Sequence, residues 1–433
     1  MDEIDEKIKK LVKYHGSNDY QNGIKLGNKL LASYPKNHII LNILGSMHLN
    51  NLNYNQALIC FKSAIEYFPN FIEVYNNVSI LYKNIGEHKK AIYFINKAIE
   101  IYFDYPISHL NKSEILKELN KPKEALSSLQ TALDLNPKFT EALYNSACIL
   151  DTLGEHSKAK EFYTKTINCD PYFKMAYRNF ALLMIRCGKI KEAEKILSSF
   201  LKIDPKNTFA LHHMSSITGQ KNLVKEEQYS RDLFNNFNAK SFENNYTEKL
   251  LYRAPEKLKK MLIGNLKEVP IFENAIDLGC GSGLSGLAFR EYVNFLLGID
   301  ISENMISLVK ERKIYDKLIL SDLSELSLLG DKSFDLIISS DVFPYKGNLE
   351  KIFSYIKTIS SKKAFFIFST EYSESLDDFK LELTGRYSHS HNYIKNLLMM
   401  NSFALLNFQT GNLRKEGSEW IKGGFYITKL NDI

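Results

Sequence analysis

The sequence predicts two domains of different class, an all-α solenoid of paired helices followed by an α/β domain on a largely parallel sheet. Three observations lead there. Alanines stand at 57, 91, 125, 159 and 193, each 34 residues from the last. From Asn274 onward, short apolar runs alternate with helical stretches, the pattern of βαβ units. At 433 residues the chain is also too long for one ordinary core, a domain taking roughly 100–200 residues.

Residues 4–37 read as a weak first copy of the 34-residue unit, with Gly23 in the alanine column. Full copies occupy 38–71, 72–105, 106–139, 140–173 and 174–207. A second small-residue column (Gly45, Ser79, Ser113, Ala147, Ala181, Ser215) keeps the same spacing. Small side chains in both columns let the two helices of a unit approach closely, where a Leu would hold them apart. Phe61, Ile95, Leu129, Tyr163 and Leu197 are placed to fill the space between successive hairpins. Prolines at 35, 69, 137, 171 and 205 end the second helix of each unit, Phe103 breaking the column. Gly86, Gly154 and Gly188 fall at the turns inside hairpins, and a helix around Leu211–Ser215 opens a sixth copy that closes the stack.

This pattern resembles the tetratricopeptide repeat, over about half the chain. The resemblance implies a concave groove, lined by the first helix of each unit, that binds a peptide or protein. Asn77, Asn111, Asn145 and Asn179 occupy the sixth position of that helix in four successive units. Amides repeated at solenoid spacing suit an extended peptide backbone, giving affinity with little dependence on side chains. These four are the candidate partner-binding residues.

Beyond about residue 220 the 34-residue register fails. The expected organisation is therefore a degenerate cap at 1–37, five repeats at 38–207, a capping helix with a linker or lid at 208–245, and a catalytic-type domain at 246–433. Seven strands are expected near 274–278, 295–299, 317–321, 334–339, 364–369, 403–410 and 422–429. The last two are joined by a polar segment too short for a crossover helix, so they should form an antiparallel hairpin at the sheet edge.

The first strand runs into AIDLGCGSGLSG, where Gly279, Gly281 and Gly283 allow a sharp turn and a close approach to a ligand. The helix that follows offers unpaired N–H groups at its start. Gly281, Gly283 and Gly286 also satisfy the GxGxxG of dinucleotide-binding folds, a weak signal by itself. The surrounding acids discriminate. Asp277 precedes the first glycine by two residues, Asp300 ends the second strand and Asp322 ends the third.

With these residues, roughly 245–433 resembles the class I S-adenosylmethionine-dependent methyltransferases, a Rossmann-like seven-stranded sheet with a reversed terminal hairpin. The resemblance implies that Gly279, Gly281 and Gly283 line the methionine part of the cofactor and that Asp277 fixes the loop and the amino group. It places the Asp300 carboxylate on the two ribose hydroxyls, and Asp322 with the Leu323 backbone at the adenine. LYRAPEKL, SSDVFPYKGNLE and GRYSHSHNYIKNLLMMNSF narrow it to a bacterial group of methyltransferases that carry tetratricopeptide repeats. SSDVFPY stands where amino-group methylases of DNA bases or glutamine have an Asn/Asp-Pro-Pro-aromatic tetrad, which argues against those acceptors.

Methyl transfer from a sulfonium is an in-line displacement in which positioning and removal of the acceptor's proton do most of the work. Asp341 and His389 are the candidate catalytic residues, with His391 a third candidate base and Tyr345 and Arg386 on the substrate side. Arg253 is a further candidate for the cofactor carboxylate and Phe343 for the acceptor pocket.

Composition excludes other classes. Hydrophobic residues at 44% and charged residues at 24% mark a globular chain rather than a disordered one. The longest apolar run, Phe180–Ile185, is far short of the roughly 20 residues of a membrane helix. The charged start MDEIDEKIKK leads into no apolar block, so a secretory signal is not expected and the cytoplasm is. The net charge of +6 and a ratio of 48 Lys to 8 Arg argue against nucleic-acid readout, which favours the Arg fork. Five cysteines without a CxxC pair read as buried thiols, and no metal is expected.

Overall fold

The structure, a computed structural model, describes residues 3–220, 223–236, 250–329, 333–375, 377–416 and 419–431. It divides into two compact units, Met1–Leu183 and Met184–Ile433.

The first unit is a run of antiparallel helix pairs. These are α1 (Glu3–Gly16) with α2 (Tyr20–Ser33), α3 (His38–Asn50) with α4 (Tyr54–Tyr67) and α5 (Ile72–Asn84) with α6 (His88–Ile101). The next are α7 (Pro106–Glu118) with α8 (Pro122–Leu135) and α9 (Thr140–Thr152) with α10 (His156–Cys169). Ala57, Ala91, Ala125 and Ala159 are fully buried at 0% exposure, as helix-to-helix contact requires. At Gly45 even one added carbon would stand 2.4 Å from the Phe61 ring, so the small column is a steric demand. The turn inside each pair passes through a left-handed residue, and the column includes Asn18, Leu52 and Asn120 besides Gly86 and Gly154, with φ between 57° and 79°.

Helix α11 (Lys174–Arg186) leads into the second unit, where α12 (Ile190–Ile203), α13 (Thr208–Thr218) and α14 (Glu226–Asn235) follow. Compactness thus changes at 183/184 rather than inside 208–245, where the sequence places the linker. The physical reason is α13, whose His212 is buried, stacks on Tyr229 of α14 at 3.7 Å and donates from Nε2 to the Gly385 carbonyl at 2.8 Å. Part of the expected lid, 237–249, lies outside the described residues.

The seven expected strands form, as β1 (Phe272–Leu278), β2 (Val293–Asp300), β3 (Lys317–Leu320), β4 (Phe334–Ser339), β5 (Ser360–Ser373), β8 (Phe403–Glu416) and β9 (Glu419–Leu430). Two short strands were not expected, β6 (Phe379–Leu381) and β7 (Tyr387–Ser390). The order is β3-β2-β1-β4-β5, all parallel, after which β9 pairs antiparallel with β5 and with β8. The far end of β5 also pairs with β7, and β7 with β6. Helices α15 (Ala254–Gly264), α16 (Leu284–Phe289), α17 (Glu303–Glu311), α18 (Glu350–Thr358) and α19 (His391–Met400) complete the domain. Alternate residues of β1 serve opposite faces: Ile276 and Leu278 pack with Phe353 and Phe366, whereas Ala275 packs with Leu258 and Leu296. A sheet covered on both faces is what parallel strands require.

Candidate functional site

A cleft with about 880 Å³ of open space lies beyond the carboxyl ends of β1, β2, β3 and β4. Strand order reverses between β1 and β4, and such a switch point is where open parallel sheets bind ligands.

The glycine loop forms its floor. Gly279, Gly281 and Gly283 all have positive φ, at 73°, 48° and 91°. Gly279 lies against Val342, whereas the space beside Gly281 is open, with no atom within 4 Å of where a Cβ would stand. Gly283 does not line the cleft; it packs toward Val309 and Ile314. The free N–H groups expected at the helix start are those of Leu284 and Ser285, for which the described hydrogen bonds give no acceptor. Helix α16 has six residues, and the loop spends its amides internally: Gly281 N on Asp300 Oδ2 at 2.8 Å, Gly283 N on the Cys280 carbonyl, Gly286 N on Tyr315 Oη.

Asp300 and Asp322 reach the cleft from the ends of β2 and β3, with Leu323 beside them. Asp300 accepts from Gly281 N and, through Oδ1, from Ser302 N at 2.9 Å. Its burial nevertheless raises its pKa above the ordinary carboxylate range. For Asp322, burial alone would raise the pKa, but the Lys346 ammonium and the Ser324 N–H hold it below the usual value. Asp277 does not line the cleft. It is fully buried behind the loop, where burial, opposed by a hydrogen bond from Tyr315, pushes its carboxyl up to about 7, with Asp300 adding to the rise.

Asp341 and Tyr345 close the other end, with Tyr252 and Ser340, whose hydroxyls lie 2.5 Å apart. Asp341 sits at φ 59°, a left-handed conformation that Asp tolerates better than most residues. Its carboxylate pairs with fully buried Arg414, which also pairs with Glu371.

Several expected site residues lie elsewhere. His389 is at 0% exposure, and its Nε2 donates to the carbonyls of Lys346 (2.9 Å) and Gly347 (3.1 Å). Burial pushes its pKa down to about 4, so it is a neutral brace for the 346–347 backbone and not a base facing the cleft. Arg386 pairs with Glu416 at 2.8 Å outside the cleft and meets the site at Tyr345, with Nε 3.4 Å from its Oη. Arg253 is exposed at the start of α15, Phe343 is core, and His391 stacks on Phe408 at 4.1 Å.

Lys346 is the largest omission from the sequence reading. Its buried ammonium bridges Asp322 Oδ2 at 3.1 Å and Glu227 Oε1 of α14 at 3.0 Å. Glu226 accepts from Gly347 N, Ser302 Oγ donates to Asn235 Oδ1, and the Phe234 ring meets Tyr345 edge-on at 5.0 Å. Helix α14 therefore covers one side of the cleft, with Ser230 and Phe234 in its wall.

In the first unit the asparagine column ties neighbouring helices. Asn77 Nδ2 donates to Asn42 Oδ1 at 2.8 Å, Asn111 to Asn76 Oδ1 at 2.9 Å, and Asn179 to Tyr144 Oη at 2.8 Å. Among the described hydrogen bonds the half-buried Asn145 makes no such link. Asn77 and Asn111 also line a groove with Asn42, Ser46, Glu73 and Tyr105. Of the five thiols expected to be buried, Cys280 is; Cys60, Cys148 and Cys187 are half-buried and Cys169 is exposed. Among the described residues no helix is long and apolar enough to cross a membrane, and no His/Cys/Asp/Glu group is placed to hold a metal.

Residues 276–368 match the family model of a methyltransferase domain, and residues 72–105, 107–139 and 140–172 match that of the tetratricopeptide repeat. The chain is 28% identical over 151 residues to a probable S-adenosylmethionine-dependent methyltransferase of Saccharomyces cerevisiae, covering 33% of this chain and 52% of that one. It is 32% identical over 76 residues to a probable 18S rRNA (guanine-N(7))-methyltransferase of Dictyostelium discoideum, covering 18% and 26%. With a release factor glutamine methyltransferase of Fusobacterium nucleatum it shares 29% over 154 residues, covering 31% and 42%. The chain thus spans about half or less of the length of these curated relatives. Among solved structures, magnesium protoporphyrin IX methyltransferase of Synechocystis PCC 6803 with bound S-adenosylmethionine is 16% identical, covers 49% of this chain and 100% of that one, and superposes with a TM-score of 0.39. A tetratricopeptide array and a methyltransferase domain are both present in this chain.

Proposed function

We propose that the C-terminal domain is an S-adenosylmethionine-dependent methyltransferase and that the repeats recruit a protein, as its substrate or its scaffold. The observation that carries the activity is Asp300, a buried carboxylate at the end of β2 that lines the cleft and anchors Gly281. A carboxylate has about four acceptor sites, and the N–H groups of Gly281, Ser302 and Ile301 take three, which leaves capacity for a ribose hydroxyl. The residues fit the cofactor at a second point, since the backbone beside Gly281 is open where the ligand must approach. A dinucleotide is a poorer fit. Its pyrophosphate asks for free N–H groups; those of Gly281, Gly283 and Gly286 are engaged, which leaves the helix-start N–H groups of Leu284 and Ser285.

When bound, the cofactor supplies an electrophilic methyl group. What this chain would add is position: of the residues lining the cleft, Asp300 and Asp322 would hold the nucleoside end, and Asp341, Tyr252 and Tyr345 would face the acceptor end. The ion pair with Arg414 fixes the Asp341 carboxylate at the cleft, where it would accept a hydrogen bond from an acceptor O–H or N–H. The relatives act on unlike acceptors by their names, among them rRNA, a release factor and malonyl-[acyl-carrier protein]. A protein acceptor is favoured by the repeats and by the groove at Asn77 and Asn111. A metabolite or cell-surface precursor, with the repeats as scaffold, is the second reading. Tritium-methyl transfer on lysate separated into protein and small molecules tests the choice, label confined to small molecules favouring the second.

A further inference from the structure

Tyr315 lies just before β3, outside every motif, yet the structure is built around its ring. A Cβ on Gly286 would stand 2.5 Å from its Cζ and Oη, one on Gly298 2.9 Å from its Cδ1, and one on Gly283 3.5 Å from its Cε2. Two glycines, one from α16 and one from β2, thus clear a slot for one aromatic side chain, with Gly283 in ordinary contact beside it. At the end of that slot the hydroxyl donates to Asp277 Oδ2 at 2.5 Å and accepts from Gly286 N at 3.2 Å. Asp277 is at 0% exposure, and its other oxygen, Oδ1, is buried without a hydrogen-bond partner among the described residues.

We infer that Tyr315 is a positioning residue of the cofactor site, setting the glycine loop through Asp277 and Gly286 from behind. It does not touch the cleft. The inference rests on the cofactor reading above. One phenol is the link between the carboxylate that precedes the loop and the first turn that follows it, so losing its hydroxyl frees both ends while the ring still fills the slot. The same bond favours ionised Asp277, whose other charged or titratable neighbours are Asp300, Cys280 and Tyr252. Burial holds the Tyr315 hydroxyl itself well above its ordinary pKa, so it stays a donor throughout.

The test is titration calorimetry of the full chain with S-adenosylhomocysteine between pH 6 and 9, comparing wild type with Tyr315→Phe. Loss of a hydrogen bond to a charged group should weaken binding about ten- to hundredfold near pH 7. The deficit should grow toward pH 9, where the lost bond is to a fully ionised Asp277, and shrink toward pH 6, where the carboxyl is protonated. Gly286→Ala, whose added carbon displaces the same hydroxyl, should behave alike and guards against a folding artefact in either variant. Wild-type affinity and pH profile in folded Tyr315→Phe would overturn the inference and leave the cofactor reading standing. Failure of the wild type to bind would overturn the cofactor reading, and the inference with it.

Discussion

Asp277 shows how a cofactor site costs stability. Its carboxyl is raised from an ordinary 3.8 to about 7, chiefly by burial, so the folded chain binds this proton more tightly than the unfolded chain does. The stability associated with the protonated form is complete below about pH 4 and is lost as pH climbs through about 7. Asp277→Asn keeps an acceptor for Tyr315 and has no charge to bury, so it should gain on the wild type across that window, by an amount on the order of a few kcal/mol at pH 8. Thermal unfolding at pH 5 and pH 8 checks this, and a pH-independent difference in Tm would refute it. The acids themselves are legible in the sequence because they sit at fixed steps from glycines and strand ends. Lys346 and Tyr315 are not, because their partners are set by tertiary packing: Glu227 is 119 residues from Lys346 and Asp277 is 38 from Tyr315.

Among the elements, the hairpin turns offer the cleanest experiment. Leu52 takes the left-handed conformation that glycine takes at 86, 154 and 188, with φ 60°, and at 66% exposure its side chain packs on little. That conformation costs an L-residue roughly 1–2 kcal/mol, of which glycine's greater freedom in the unfolded chain takes back part. Leu52→Gly should therefore stabilise by about 0.5–1 kcal/mol and raise the first transition by a few degrees in calorimetric unfolding. A fall in Tm would mean the side chain packs after all. Legibility follows the same physics. The main strands show as apolar runs because both sheet faces are covered, and the helix pairs show because small residues recur at their contacts. Strands β6 and β7 were hidden because the buried residues of β7, Ser388, His389 and Ser390, are polar and show no alternating hydrophobicity. His389 misled for the same reason: a histidine between serines reads as an exposed loop base, and only the fold shows its ring enclosed.

For the whole molecule, the claim is that one chain joins a recruiting array to a methyl-transferring domain. The asparagine column separates packing from recruitment. If Asn77, Asn111, Asn145 and Asn179 also hold an extended peptide, changing all four to Ala should weaken partner capture by two or more orders of magnitude, each contact being worth around 0.5–1.5 kcal/mol. Cofactor affinity should not move. A pull-down compared with unfolding of the same variant decides, and capture unchanged in a destabilised array would leave the column as a tie between helices. The most direct test of the account is titration calorimetry with S-adenosylmethionine and with NAD, on wild type and on Asp300→Ala. The account predicts S-adenosylmethionine binding by the wild type, at least a hundredfold loss in the variant, since two charge-assisted bonds of roughly 1.5–3 kcal/mol each disappear, and no binding of NAD. Unchanged S-adenosylmethionine affinity in a folded Asp300→Ala chain, or preference for NAD by the wild type, would contradict it.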